Sequence, residues 1–275
     1  MKLLATTVGK SSLPSPEARR AIQYLSPPAA VSMADSWFEI ASLDHFWIHR
    51  RFQVLRRLAA GIIAPAQELA EIGCGHGLLQ RQIEDEFAKS VTGFDLNDYA
   101  LKQNISRLSS VCCYDIFQRD TSLRQRFDLL FLFDVLEHLS DEQKFLDAVC
   151  FHLARAGRLL INVPAGQWAF SAYDVAAGHQ RRYSINTLTQ AAERNGLQVE
   201  DWTYWGLPLV PALALRKFWL LGKKDESEII SQGFDTGNSA VNQAMALLSR
   251  CEPLPQKIIG TSLMAILRRS DASGL

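Results

Sequence analysis

Between residues 68 and 200 the sequence alternates short apolar runs with stretches of helical periodicity. "AQELAEIG", "SVTGFDLN", "SSVCCYDIF", "RFDLLFLFDVL", "AGRLLINVP" and "LQVEDWTYW" are the apolar runs, and each reads as a strand. Between them apolar residues recur at helical spacing, as with Leu79, Ile83 and Phe87, or Phe145, Leu146, Val149 and Leu153. Such alternation builds a parallel sheet wound by helices on both faces. "RFDLLFLFDVL" is nearly unbroken in its apolarity, as suits a strand covered on both sides. With "TSLMAILRR" near the end as a last strand, the expected fold is α/β: a doubly wound, mostly parallel, seven-stranded sheet.

The flanks divide the chain further. Residues 1–40, rich in Pro, Ser and Ala at their start, read as a partly disordered arm with one short helix over Glu17–Leu25. "DHFWIHRRFQVLRRLAAGI" reads as a helix with Trp47, Phe52, Leu55 and Leu58 along one side, opening a core over 41–204. Ser140, with Gln143 in capping-box spacing, is expected to start one core helix, and Ser184 to Gly196 bounds another. Residues 205–258 read as a helical cover, with a polar loop at "DESEIISQGFDTGNSA" and a helix marked by Val241, Met245 and Leu248. Residues 259–275 supply the last strand and a tail.

Composition bounds the partners. Lys plus Arg and Asp plus Glu both number 29, so no global charge favours nucleic acid. The five cysteines include no CxxC pair, which fits free thiols in a reducing cytoplasm. The N-terminus is not read as a signal peptide, and with no run of about 20 apolar residues no transmembrane helix is expected. The stretch "GLPLVPALALRKFWLLGKK" and its neighbours, residues 207–224, are read as a cover over a pocket or as a peripheral membrane contact.

Chemistry concentrates at the strand C-termini, where ligands bind in open parallel sheets. "EIGCGHG" joins the first core strand to a helix. Its glycines permit positive φ and close approach of a ligand, and the helix N-terminus offers free N–H groups. A dinucleotide fingerprint needs a third glycine where this chain has Leu78. Glu71 would repel a pyrophosphate but suits a ligand carrying an amino group. Asp95, eighteen residues beyond Gly77, can accept from ribose hydroxyls, and Asp115 from an exocyclic adenine amine.

Together "EIGCGHG", "GFDLN", "YDIF" and "FDVLEHL" resemble the successive motifs of class I S-adenosylmethionine-dependent methyltransferases. The resemblance covers roughly Asp44 to Val199. It implies a Rossmann-like methyltransferase fold whose last strand is antiparallel, and S-adenosylmethionine as cofactor, with S-adenosylhomocysteine as product. By position, it assigns cofactor contacts to Glu71, Gly73, Cys74, Gly75 and Gly77, the ribose to Asp95, and the adenine amine to Asp115. Leu96 and Ile116 would flank the adenine ring, and Phe133 would complete the wall. The implied reaction is in-line methyl transfer to an O, N or C nucleophile of a small molecule or of a lipid- or glycan-linked substrate. A non-catalytic cofactor-binding partner protein and a nicotinamide-dependent oxidoreductase are the other functional classes weighed.

Two further stretches bear on the acceptor. In "FDVLEHL", Asp134, Glu137 and His138 share one face of a helical turn, and two carboxylates with an imidazole can hold a divalent metal. The ubiquinone-pathway O-methyltransferases resemble this pattern and use such a cluster for metal; many metal-free methyltransferases carry it too, so a metal is not expected here. "VPAGQWAFSAYDVAAGHQRRYS" is long for a strand–helix connection and reads as substrate-facing. It resembles a subgroup with a GHxRRY loop and an HFW entry helix, matched here by "DHFWIHRR". Trp168, Tyr173, Arg182 and Tyr183 are its candidate substrate contacts. His179 and His138 are rival general bases, since imidazole titrates near neutrality. Arg51 is placed to meet the cofactor or the loop acids, and Phe46 and Trp47 to close over the site or to pack in the core.

Overall fold

The computed structural model describes residues 21–31, 41–220, 229 and 239–270. The apolar run at Phe127–Phe133 forms the central strand, β5, and its side chains explain its composition. Leu130 and Leu132 point into one core layer, and Leu129, Phe131 and Phe133 into the other. A strand with helices on both faces leaves room for a polar residue only near its end, here Asp128, whose carboxylate accepts from the Gln67 and Glu68 amides at 2.8 and 3.2 Å.

Around it lie β1 (Gln23–Tyr24), β2 (Leu69–Ile72), β3 (Thr92–Asp95), β4 (Val111–Cys113), β6 (Leu153–Pro164), β7 (Leu197–Trp205) and β8 (Ser262–Arg269). They form one 8-stranded sheet in the order β1-β4-β3-β2-β5-β6-β8-β7. All pairings are parallel except those of β8, which runs antiparallel to both β6 and β7. The chain winds outward from β2 through β3 and β4, then returns to place β5 on the other side of β2. That reversal is the switch point at which open α/β sheets bind ligands. Ile72 is in register with both Phe94 and Leu132, so the ends of β2, β3 and β5 meet at one edge.

Eight helices pack around the sheet or link its strands: α1 (Phe46–Ile63), α2 (Leu78–Phe87), α3 (Asp98–Lys102), α4 (Glu142–His152), α5 (Ala172–Ala176), α6 (Ile185–Glu193), α7 (Val210–Trp219) and α8 (Ser239–Ser249), counted among the described residues. Val54 and Leu55 of α1 and Leu79 and Ile83 of α2 cover one face. Leu146 and Val149 of α4 and Leu188 and Ala192 of α6 cover the other. β8 alternates between the layers as β5 does, with Leu263, Ala265 and Leu267 in one and Met264 and Ile266 in the other.

Three expectations are corrected. The sheet has an eighth strand: of the helix expected over Glu17–Leu25, residues 17–20 lie outside the described residues, and Gln23–Tyr24 instead pairs in parallel with Cys112 and Cys113. Pro27 and Pro28 end any helix there, and the Leu25 and Ser26 amides donate to the Cys113 carbonyl at 2.9 and 3.1 Å. The cap of α4 is Asp141, whose carboxylate accepts from the Lys144 amide at 2.9 Å, rather than Ser140. Leu153 opens β6 rather than continuing α4. Of the expected polar loop, only Ile229 and the helical Ser239 and Ala240 are described; the final five residues and the lysine-rich end of the cover fall outside the described residues. No described helix is long and apolar enough to cross a membrane.

Candidate active site

The turn after β2 is built by glycines in the left-handed region, with φ of 78° at Gly73 and 82° at Gly77. At Gly73 a side chain is excluded twice: by φ, and because a Cβ would stand 2.3 Å from Val135 Cγ2. The Gly73 amide donates to the Phe94 carbonyl at 2.7 Å, which pins the turn to the end of β3. Gly77 caps α2 from behind the turn.

Asp95 closes the arrangement. Its Oδ2 accepts from the Gly75 amide at 2.7 Å and its Oδ1 from the Asn97 amide at 2.8 Å. The carboxylate is therefore fixed in orientation, with lone pairs left over for a ligand. Asp115 caps its own turn, accepting from the Phe117 amide at 2.9 Å.

Glu71, Gly73, Cys74, Gly75, Asp95, Leu96, Asp115, Ile116 and Phe133 all line one cavity of about 540 Å³, of a size usual for cofactor sites. Gly77, expected among them, shapes the turn without lining the cavity. His138 lies on the same wall. Ala30 and Val31 line it too, from the arm expected to be disordered. They are held by the Ala29 amide bonding the Leu96 carbonyl at 3.1 Å and the Ser26 hydroxyl accepting from the Asp115 amide at 2.9 Å. Sequence reasoning also missed His76, Tyr114 and Val135 in the lining; apolar or neutral residues beside recognised motifs carry no separate signal.

One end of the cavity gathers charge. Arg51 of α1 lies between the Trp47 and Phe133 rings, its guanidinium carbon 5.1 and 5.3 Å from their centroids. It pairs with Asp134 at 2.5 Å, an acid that follows β5 rather than one of the loop acids expected to meet it. Trp47 packs 5.4 Å from Trp205 in the core. Asp134 Oδ1 accepts from Asn162 at 2.7 Å, and Asn162 is held in turn by Trp205 Nε1 at 2.9 Å. The Asp134 backbone sits at φ 57°, a conformation uncommon outside glycine and found where function or context imposes it. Burial raises its carboxyl above the ordinary range even with Arg51 beside it.

Glu71 is the more perturbed group. Burial pushes its carboxyl up to about 8, against the pull of Arg51, while Asp95 and Asp134 add to the rise. Its Oε2 has no hydrogen-bond partner among the described residues. Asp95 is also raised, chiefly by burial, although the Asn97 and Gly75 amides oppose the rise. The cavity thus presents an excess of buried carboxylate, which is chemistry for a cationic, hydroxyl-bearing ligand.

The loop after β6 departs from its expected role at two positions. Arg182 is buried and forks onto Asp174, Nε to Oδ1 at 2.8 Å and Nη2 to Oδ2 at 3.1 Å. Tyr183 is buried as well, its hydroxyl donating to Glu142 at 2.6 Å. Both hold the loop together and neither lines the cavity, so the expectation that they touch substrate is corrected. Tyr173 is largely buried under Arg216 of α7, whose guanidinium lies 4.1 Å from its ring centroid. Trp168 is exposed, with its carbonyl accepting from Lys217 at 2.5 Å. Neither ring lines the cavity.

His179 sits at the head of the Asp174 network, its Nδ1 2.9 Å from Asp174 Oδ1. Burial raises the Asp174 carboxyl, but the hydrogen bond from His179 and the charge of Arg182 outweigh that and hold it below the ordinary range. The His179 ring stands 4.8 Å from that of His138, edge to face. Burial, with His179 nearby, lowers His138 to about 3, so its imidazole is neutral. The candidate cluster of Asp134, Glu137 and His138 is regrouped: Glu137, His138 and His179 converge, while Arg51 and Asn162 engage Asp134.

Three comparisons set this geometry among known proteins. A family model described as a methyltransferase domain matches residues 17–201. A Mycolicibacterium smegmatis protein described as a "probable S-adenosylmethionine-dependent methyltransferase" is 28% identical over 58% of this chain, which spans 62% of that relative's length. A solved S-adenosylmethionine-dependent methyltransferase from Mesorhizobium loti superposes with a TM-score of 0.51 over 80% of this chain and 98% of its own, at 14% identity. A Haemonchus contortus phosphoethanolamine N-methyltransferase, solved with phosphomonomethylethanolamine and S-adenosylhomocysteine, gives 0.50 over 81% and 53% at 19% identity.

Proposed function

The chain belongs to the methyltransferase-domain family, and on that premise we propose that it binds S-adenosylmethionine in the cavity at the β2–β5 switch point and methylates a small molecule at an O, N or C nucleophile. The observation that carries the reading is the Oε2 of buried Glu71, without a hydrogen-bond partner among the described residues, beside the fixed carboxylate of Asp95. A buried polar oxygen without a donor is costly, and a ligand ammonium supplies one.

When bound, the cofactor supplies an electrophilic methyl group on a sulfonium. Glu71 would accept from its amino group, Asp95 from the ribose hydroxyls and Asp115 from the adenine amine. Leu96 and Ile116 would hold the base between them. The glycine turn would admit the ligand close to the backbone. The chain's main catalytic contribution would be alignment of donor and acceptor. A proton leaving an O or N acceptor would pass to His179 behind the cavity wall, since burial leaves His138 on the wall a weak base.

The exposed residues Leu215 and Phe218 of α7, with Lys217 between them, support a lipid- or glycan-linked acceptor presented at a lipid surface. Screening lipid-linked sugars, quinone precursors and small hydroxylated acids for methyl transfer tests that extension.

Titration calorimetry tests the core reading. S-adenosylhomocysteine is expected to bind at micromolar concentration, and Asp95→Ala to weaken it at least tenfold. Preferential binding of NADH would overturn the proposal. The absence of a third glycine at Leu78 already disfavours that outcome.

A further inference from the structure

The loop after α5 is tied down onto the turn that follows β5. The Gln180 amide donates to the Glu137 carbonyl at 2.7 Å, and the His179 amide to the Asp174 carbonyl at 2.8 Å. That docking brings His179 against Glu137 and His138, which lie in the 3-10 turn Leu136–His138. One donor atom from each of the three residues falls within 4.8 Å of the other two. From this convergence we infer that Glu137, His138 and His179 form a binding site for one divalent transition-metal ion, with Asp174 as the residue that orients His179.

Two independent features support a cation there. Glu137 is 1% exposed, and its Oε2 has no hydrogen-bond partner among the described residues. An ion in the cluster would complete the coordination that this oxygen lacks. His179 is also set up as a ligand. Its Nδ1 donates to Asp174 Oδ1 at 2.9 Å, which leaves Nε2 with the lone pair. Asp174 cannot swing away, because Arg182 forks onto both of its oxygens and Ser171 donates to it through its amide at 2.9 Å. A carboxylate fixing the far nitrogen of an imidazole is the usual outer arrangement of metal-binding histidines.

The donor set selects the ion. Two imidazole nitrogens and one carboxylate oxygen suit Zn²⁺, Fe²⁺ or Co²⁺, whereas Mg²⁺ and Ca²⁺ favour oxygen throughout. Donors bound at about 2.1 Å stand no more than about 4.2 Å apart, so the widest pair closes by roughly half an ångström on binding. Three protein ligands leave coordination positions open. His138 also lines the cavity, so the ion would stand in its wall. There it would bind an acceptor hydroxyl or amine and draw electron density from it. The site does not depend on the identity of the cavity's ligand.

The test uses the untagged full chain carrying Cys251→Ser, which removes an exposed free thiol able to compete for zinc. After chelator treatment and dialysis, Zn²⁺ and Co²⁺ are titrated separately, with equilibrium dialysis and the visible absorption of Co²⁺ as readouts. One equivalent is expected to bind at micromolar concentration or tighter and to resist excess Mg²⁺. His179→Ala and Glu137→Gln are each expected to weaken binding at least tenfold. Asp174→Asn, acting through His179, is expected to weaken it by roughly tenfold. S-adenosylhomocysteine affinity and circular dichroism of His179→Ala check that the fold persists, and they report on the cavity separately from the metal. Failure to bind one equivalent at tens of micromolar overturns the inference, as does undiminished binding in His179→Ala.

Discussion

The proposed contact between Glu71 and the cofactor's amino group predicts an affinity that depends on pH. Burial places its carboxyl at about 8 against an ordinary value of 4.5, so the empty protein holds it protonated at neutral pH. A protonated carboxyl cannot pair with an ammonium, so the proton must leave before the ligand's amino group is fully bound. Each unit of pH below about 8 then costs about 1.4 kcal/mol, or tenfold in affinity. Affinity for S-adenosylhomocysteine should therefore rise about tenfold per unit between pH 5.5 and 7.5, with nearly one proton released per ligand bound. Calorimetry in two buffers of different ionisation enthalpy measures both quantities. Glu71→Gln has no proton to release. It should bind with an affinity that changes by less than threefold over the same window, and the difference between the two profiles isolates Glu71 from the nearby histidines. A flat wild-type profile, or a Glu71→Gln profile as steep as the wild type, would refute the assignment of Glu71 to the ligand's amino group.

Other perturbations test the frame around the site. Gly73→Ala meets both a φ of 78° and a Val135 methyl 2.3 Å away, so unfolding in urea should show a loss of about 2–4 kcal/mol. Adding Val135→Ala should recover the clash and leave the backbone strain. Arg51→Met leaves the partly buried Asp134 without its ion pair and should cost about 2 kcal/mol by the same measurement. Tyr183→Phe removes a buried hydrogen bond to Glu142 and should cost about 1–2 kcal/mol in thermal or urea unfolding. Because Tyr183 does not line the cavity, its substitution should leave S-adenosylhomocysteine affinity within twofold of wild type.

Much of this architecture was legible from periodicity. The strand at Phe127–Phe133 announces itself because burial on both faces leaves room only for apolar side chains beyond Asp128 at its start. Glu71, Asp95 and Asp115 were legible as candidate ligand groups because each lies at or just beyond the end of such a run, and strand ends in a parallel sheet fall at one edge. The arm strand was not legible. A two-residue edge strand is held by backbone hydrogen bonds, which almost any sequence can make, and the two prolines after it read as disorder. The cap of α4 shifted by one residue because Ser140 and Asp141 are both able caps and local pattern does not choose between neighbours.

The loop at 165–183 divides the two kinds of information most clearly. Its residue types declared a polar, histidine-bearing segment, and local spacing went no further. Arg182 and Tyr183 read as ligands for a substrate because their charge and hydroxyl were visible while their partners were not. Asp174 takes up the arginine within the loop, and Glu142 reaches the tyrosine from another helix. Sequence by itself determined the sheet, the glycine turn and the acids at its edge, since these follow from backbone sterics and from apolar patterning within each segment. Only the tertiary structure decided that Asp134 belongs to Arg51 and that His179 belongs beside Glu137 and His138. Those choices depend on which buried charge finds a partner across the fold, and burial exists only once distant segments have packed.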